Sequence, residues 1–330
     1  EGHTAHATYD EAEQEALTIL HECYAKFAED WMAVPVLKGV KSPNETFPGA
    51  DHTYAIEAMV QDLRAIQAGT SHHLGQNFAK AFDVKFQSKE GSLEYVYATS
   101  WGVSTRLIGT VLMAHSDDKG LVAPPKIAPV QVVIVPIGRG EKLEAVEAKA
   151  NELATQIRDK GWEGRPVRVK VDNSDKSPGW KFNDWELKGA CLRVELGPRD
   201  LEAGQCVVAR RDQDEKQTLA LEELVDAVGP QLREMQDALF AKALKLREDN
   251  TKRVDTWEEF KAAFDGTGGA GFVVAHWDGT TETEVAIAEE TKATIRVIPL
   301  EPLAPGDDEP GTCVFTGKPS KQRVVFAKSY

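Results

Sequence analysis

The chain has 330 residues, 42% of them hydrophobic and 28% charged, which suits a soluble globular protein with two or three domains. A formal net charge of -14 argues against a sequence-blind nucleic-acid binder. No apolar run approaches the roughly 20 residues that span a bilayer, so a membrane protein is excluded. The four cysteines, Cys23, Cys191, Cys206 and Cys313, include no Cys-x-x-Cys pair. That argues against a disulfide framework or a four-thiolate zinc site and fits a reducing cytoplasm. Residue 1 is a glutamate, with neither an initiator Met nor a secretory signal, so the chain reads as starting inside a longer protein.

Along the chain, residues 10–30 carry Ala12, Ala16, Ile19, Leu20, Cys23 and Phe27 at helical spacing, predicting one amphipathic helix. A Pro- and Gly-punctuated loop over 41–52 follows, then weaker helical patterning over 55–63. A strand is expected to arrive at Gly69, whose missing Cβ lets backbone approach a ligand, and a helix to run over 74–82. Tyr95, Tyr97 and Thr99 alternate with Val96 and Ala98 as in a strand that passes through Ser-Trp-Gly into a helix. Ser104 is placed to cap that helix, Arg106 stands in its first turn, and Leu107, Ile108, Val111 and Leu112 form its apolar stripe. A planar guanidinium at a strand end suits stacking on a purine or pairing with phosphate; the alternative is a solvated surface arginine.

Pro124, Pro125 and Pro129 mark a linker, with a boundary near 127. Beyond it, strands at 130–137, 167–171, 191–196 and 205–210 alternate with helices at 141–160 and 219–246, predicting helices packed on a sheet. Within it Trp180, Phe182 and Trp185 lie among Lys181, Lys188 and Arg193, a mixture that suits splayed single-stranded bases or a packed hairpin corner. Residues 158–211 hold twelve Lys and Arg against nine Asp and Glu, so RNA contact is expected to concentrate there. From about 247 come a Trp-rich helix, a Gly-rich turn at 266–271, a short strand, an acidic loop at 302–311 and a terminal strand at 323–327. Trp257, Phe260, Phe264, Phe272, Trp277 and Phe326 are the expected core of this last part.

Four stretches, taken in order, resemble prolyl-tRNA synthetases of the archaeal and eukaryotic type, within the class II aminoacyl-tRNA synthetases. EGHTAHAT at residues 1–8 resembles the strand closing motif 2, and QAGTSHHLGQNF at 67–78 the substrate loop. YVYATSWGVSTRLIGTVLMAHSDDKGLVAPPK at 95–126 is similar to motif 3, and PGWKFNDWELKGACLRVELGPRDLE at 178–202 to the anticodon-binding domain. The resemblance implies part of a class II antiparallel catalytic sheet over 1–127, an α/β anticodon-binding domain over 128–246 and a small α+β, zinc-type domain over 247–330. It implies proline-tRNA ligase activity, with ATP, Mg2+, proline and tRNA(Pro) as partners and a cytoplasmic homodimer as the full-length form. A noncatalytic RNA-binding or regulatory paralogue is the rival reading.

Carried over by position, the family's motifs imply that Gln67, Thr70, Ser104 and Arg106 serve ATP, with Arg106 stacked on the adenine as the catalytic residue. Glu1, His3 and His72 would line the proline pocket, and Trp180, Lys181, Lys188 and Arg193 would meet tRNA. Fewer than 100 residues separate Thr8 from Trp101, so the editing insertion of bacterial-type enzymes is not expected. The family's four zinc-binding cysteines correspond here to Asp278, Thr283, Cys313 and Thr316. One thiolate cannot close a tetrahedral site, and zinc is not expected. Motif 1 and the motif 2 arginine are not found within these residues.

Overall fold

The computed structural model describes residues 1–330 and divides them into two compact units. The first comprises 1–30, 34–114 and 243–330; the second comprises 31–33 and 115–242.

In chain order the first unit begins with β1 (Gly2–His6), α1 (Tyr9–Thr18), β2 (Val36–Val40), β3 (His52–Met59), β4 (Ala65–His73) and α2 (Asn77–Phe82). Next come β5 (Lys85–Gln87), β6 (Leu93–Tyr95), β7 (Tyr97–Gly102) and α3 (Arg106–His115). The second unit holds β8 (Val132–Pro136), α4 (Glu141–Lys160), β9 (Val169–Val171), α5 (Pro178–Leu187), β10 (Leu192–Leu196), α6 (Pro198–Glu202), β11 (Gln205–Arg210) and β12 (Lys216–Ala220). It also holds most of α7 (Leu221–Asp249). The chain then returns to the first unit with β13 (Thr251–Arg253), α8 (Trp257–Ala263), β14 (Phe272–His276), α9 (Thr281–Thr291), β15 (Thr294–Pro299), β16 (Gly311–Thr312), β17 (Pro319–Ser320) and β18 (Arg323–Ala327).

Nine strands of the first unit form one sheet in the order β1-β7-β4-β3-β2-β15-β18-β14-β13, antiparallel except for β13 beside β14. Residues 247–330, expected as a domain of their own, therefore supply four strands to the sheet that carries β1–β4 and β7. β14 shows how that sheet is covered on both sides. Val273 and Ala275 join Phe260, Phe264, Trp277 and Phe326 in one apolar cluster, with Trp257 packed against it. Phe272 and Val274 face the other way, onto Leu37, Met59 and Val325.

The second unit is a five-stranded sheet ordered β12-β11-β10-β8-β9, parallel through β10, β8 and β9. Val132 and Ile134 pack with α4 and α7 through Leu153, Ile157, Leu224 and Leu232, while Val133 and Val135 meet Trp185 of α5 on the opposite face. This double cover explains why β8 is one unbroken apolar run.

Several sequence expectations need correction. The helix expected over 10–30 is α-helical only to Thr18, then π-helical over Ile19–Ala25 and Phe27–Trp31. Each i→i+5 closure adds a residue per turn, so the 3.6-residue stripe drifts out of phase. Ala25 and Ala28 are buried, whereas Cys23 and Phe27 are exposed. Residues 55–63 are not helical: β3 lies between two strands, and seven of its eight residues are buried, which erases the alternation that marks a strand. Residues 178–187 form a helix rather than a hairpin corner, begun by the Ser177 side chain accepting from Trp180 N with Pro178 in the first turn. On α3 the inward face uses Thr110, Val111 and Ala114, while Ile108 and Leu112 are exposed.

Candidate active site

A cleft of about 320 Å³ opens where β4, β7 and the start of α3 meet. Its wall carries Glu1, Gln67, Thr70, His72, Ser104 and Arg106, six of the seven side chains expected to bind ATP or proline. The seventh, His3, lies on β1 across from Ser100 of the wall and bonds through Nε2 to Glu1 Oε1 at 3.1 Å, so it stands at the rim.

How β4 gathers its share is a matter of register. Gln67 and Thr70 are three residues apart and would point to opposite faces of a regular strand. β3, however, pairs Glu57 with Gln67 and Ile56 with Gly69, which leaves Ala68 as an extra residue in a β-bulge. Gln67, Thr70 and His72 then oppose Glu57, Ala55 and Thr53, alternate residues of β3, and so share one face. Gly69 is tightly enclosed, because a Cβ there would lie 3.1 Å from both Tyr24 and Val103.

Arg106 sits at the exposed mouth, its backbone N donating to Ser104 Oγ at 3.2 Å and its Nη1 to Gln67 O at 3.3 Å. The second bond ties the guanidinium to the bulge. His72 is held from behind by Thr53, whose Oγ1 lies 2.9 Å from Nδ1 and also accepts from Phe47 N. Burial lowers the His72 pKa, against a smaller upward pull from Glu1, so the imidazole is neutral at physiological pH.

Phe47, Ser100, Trp101, Gly102 and Val103 also line the cleft without having been singled out for a role. Ser-Trp-Gly stood in the sequence as a strand end before a helix, which was the available signal for three of them. Phe47 lies in an irregular loop and gave none; its ring centre is 5.0 Å from that of His72. Trp101 seals the β1 side, where a Cβ on Gly2 would fall 2.1 Å from its ring.

The four side chains expected to meet RNA are not equivalent. Trp180 is 49% exposed, and Lys188 is an exposed residue paired to Asp184 at 2.6 Å. Arg193 is half-buried, paired to Glu195 at 3.0 Å and 4.5 Å above the Phe182 ring. Lys181 is only 5% exposed and donates to Asp172 O at 2.8 Å. Asp172 also accepts from Trp185 Nε1 at 2.7 Å. The Lys181 ammonium is thus committed to holding α5 beside the loop after β9 and is not presented to an RNA.

Three of the four positions matched to zinc ligands meet in a different arrangement. Asp278 Oδ2 accepts from Thr283 and Thr316 hydroxyls, each at 2.9 Å, and Oδ1 from the Thr280 hydroxyl at 2.9 Å. Burial pushes the Asp278 carboxyl up, but the hydrogen bonds outweigh it and hold its pKa below the usual value. Cys313 is buried nearby in sequence, and no group of three or more His, Cys, Asp or Glu side chains could hold a metal ion. The donor set does not fit zinc.

Comparison with known proteins gives two family-model matches, "Anticodon binding domain" over 131–230 and "Prolyl-tRNA synthetase, C-terminal" over 257–330. The proline-tRNA ligase of Prosthecochloris aestuarii is 55% identical over 335 residues, covering 100% of this chain and 67% of that protein. That of Porphyromonas gingivalis is 55% identical over 332 residues, covering 100% of this chain and 65% of its own length. A crystal structure of prolyl-tRNA synthetase from Cryptosporidium parvum complexed with L-proline and AMP superposes with a TM-score of 0.90 at 40% identity, over 99% of this chain and 67% of that one. A second, with halofuginone and AMPPNP, also gives 0.90. The chain spans about two thirds of the length of these relatives.

Proposed function

Because the chain belongs to the prolyl-tRNA synthetase family, we propose that the cleft between β4, β7 and α3 is where ATP and proline meet to form prolyl-adenylate. Convergence of Gln67, Thr70, His72, Ser104 and Arg106 on one wall carries this reading. Activation requires the proline carboxylate to be aligned with the α-phosphate and the developing charge to be met by fixed dipoles. Arg106, anchored to the backbone of Gln67, offers its planar face to the adenine, while Gln67 and Thr70 supply polar contacts one strand away. Neutral His72, beside Phe47 and sharing the cleft wall with Glu1, closes the end that takes the small apolar ring of proline, with His3 at the rim. Selectivity there comes from shape and the secondary amine, since an apolar wall distinguishes one methylene by only about 1–3 kcal/mol.

Glu1 is the cleft's single carboxylate, too few to hold Mg2+ without the nucleotide. A divalent ion would enter on the triphosphate and neutralise its charge. Family membership supports tRNA(Pro) as acceptor of the activated proline, a homodimeric full-length protein and a cytoplasmic setting. No helix is long and apolar enough to cross a membrane. By function we assign 1–127 to the catalytic part, 128–246 to anticodon recognition and 247–330 to a zinc-type domain with degenerate ligands. Within the anticodon part, exposed Trp180 and Lys188 are the RNA contacts we retain, with Arg193 partly available.

Pyrophosphate exchange on the full-length protein separates the two halves of the cleft. His72→Ala should raise KM for proline while leaving KM for ATP nearly unchanged, and Thr70→Val should do the reverse. Identical effects of both variants on both substrates would contradict the assignment.

A further inference from the structure

The bulge that brings Gln67 into the cleft is backed by a buried ionic cluster with no contact to the cleft mouth. Glu57, the β3 residue opposite Gln67, is fully buried. Its carboxylate accepts from Arg296 Nη2 at 2.9 and 3.1 Å, from Arg296 Nε at 3.2 Å and from Lys41 Nζ at 3.1 Å. Arg296 is itself the extra residue of a second bulge, in β15, where Ile295 pairs with Phe326 and Val297 with Val325. Its Nη1 reaches Thr294 Oγ1 and Ser329 Oγ, each at 3.0 Å, and its backbone O accepts from Lys41 Nζ at 2.9 Å. All three side chains are more than nine-tenths buried.

Two cations around one carboxylate in a dry interior make poor cement. Desolvation offsets most of the attraction, and well-packed apolar residues of similar volume are often as stable. What such a cluster offers is geometry: a forked guanidinium accepts a carboxylate in one orientation, and a bulge aims it. The pair meets across intervening β2, with Glu57 in regular register opposite Leu37 and Arg296 at the bulge in β15.

We propose that Lys41, Glu57 and Arg296 are positioning residues that lock the β3–β4 bulge in register and thereby fix the direction of Gln67 toward ATP. This rests on the reading of Gln67 as an ATP contact, and the test separates the two. In the full-length protein the triple variant Lys41→Met, Glu57→Leu, Arg296→Met should melt within a few degrees of the parent. It should raise KM for ATP about tenfold or more, as expected when a binding group is displaced by a fraction of an ångström. KM for proline should stay within about twofold, because His72 lies beyond the bulge. Amide hydrogen exchange at residues 65–70 should accelerate, and adding Gln67→Ala should bring no further rise in KM for ATP. A triple variant with the parent's KM for ATP and exchange rates overturns the proposal. Should that variant fail to fold, Arg296→Lys keeps the charge without the fork. It is expected to show the same split between substrates, and an unchanged KM for ATP with unchanged exchange again overturns the proposal. If Gln67→Ala alone leaves KM for ATP unchanged, the ATP role of Gln67 fails, while the exchange rates still decide whether the cluster locks the bulge.

Discussion

Arg106 joins two elements by one side chain, since it opens α3 and bonds the backbone of β4 at Gln67. Arg106→Ala in the full-length protein is expected to lower pyrophosphate exchange by about a hundredfold or more, as for loss of a preorganised charged contact. Affinity for tRNA should hardly move, and an exchange rate within threefold of the parent would remove Arg106 from the site. His115, at the other end of α3, is buried and its Nε2 lies 2.8 Å from Met32 O. Burial lowers its pKa from 6.5 to about 4. Above pH 6.5 both folded and unfolded states hold it neutral and nothing is lost. Between pH 6.5 and about 4 only the unfolded chain binds the proton, so stability falls as pH drops, by about 3 kcal/mol over the window. Denaturant titrations at pH 7, 5.5 and 4.5 should show this slope and a shallower one for His115→Leu. Single residues were legible mainly through family resemblance. Gln67, Thr70 and His72 mix odd and even strand positions, and only the bulge at Ala68, invisible in side-chain patterning, reconciles them.

Elements built on local chemistry were read well, and those governed by remote neighbours were not. Helix α4 matches the expected 141–160 because Glu141, Glu144, Arg158 and Lys160 suit its dipole and its apolar residues keep one face. β3 was misread because seven of its eight residues are buried, with Ala55 and Met59 packing on Phe272, Val274, Val297 and Val325 from the far end of the chain. The loop and helix around Asp278 carry a specific expectation. Four family thiolates would be a metal staple, whereas here Asp278 gathers three threonine hydroxyls. Asp278→Ala should cost about 1 kcal/mol, because Thr283 is buried and loses its acceptor while exposed Thr316 can turn to water. The carboxyl has a lowered pKa, so its contribution is present above the unfolded value of 3.8 and is lost as pH falls through the folded value. Excess chelator should leave the melting temperature unchanged, and elemental analysis should find no stoichiometric zinc. A bound zinc ion, or a large chelator-induced drop, would refute this account.

At the scale of the molecule, sequence reading found the order of the segments but not that residues from both ends of the chain share one sheet. Nothing local in β2 or β15 announces that Val40 pairs with Ile298. Apart from residues 31–33 the anticodon-type unit is one stretch, 115–242, and was correspondingly easier to anticipate. The RNA role proposed for it predicts a divergence between neighbouring lysines. Lys188→Ala should weaken tRNA binding and reduce its salt dependence by roughly one counterion per lost phosphate contact. Lys181→Ala should instead lower stability by about 1–3 kcal/mol, with little change in the salt slope, because its ammonium serves Asp172. Equal salt slopes for the parent and Lys188→Ala would count against RNA contact at Lys188.

The nine-stranded sheet also sets a timetable for biosynthesis. β2 emerges from the ribosome long before its partner β15, with all of 115–242 made in between. At about 5–20 residues per second, the 258 residues from Val40 to Ile298 take roughly 13–50 s, during which an apolar strand edge waits unpaired. That waiting edge is therefore expected to need shielding during synthesis, whereas 115–242 brings its own five-stranded sheet and apolar core. A chain that ends before β15 would hold every residue of the second unit but lack the Arg296 partner of Glu57 beside the cleft.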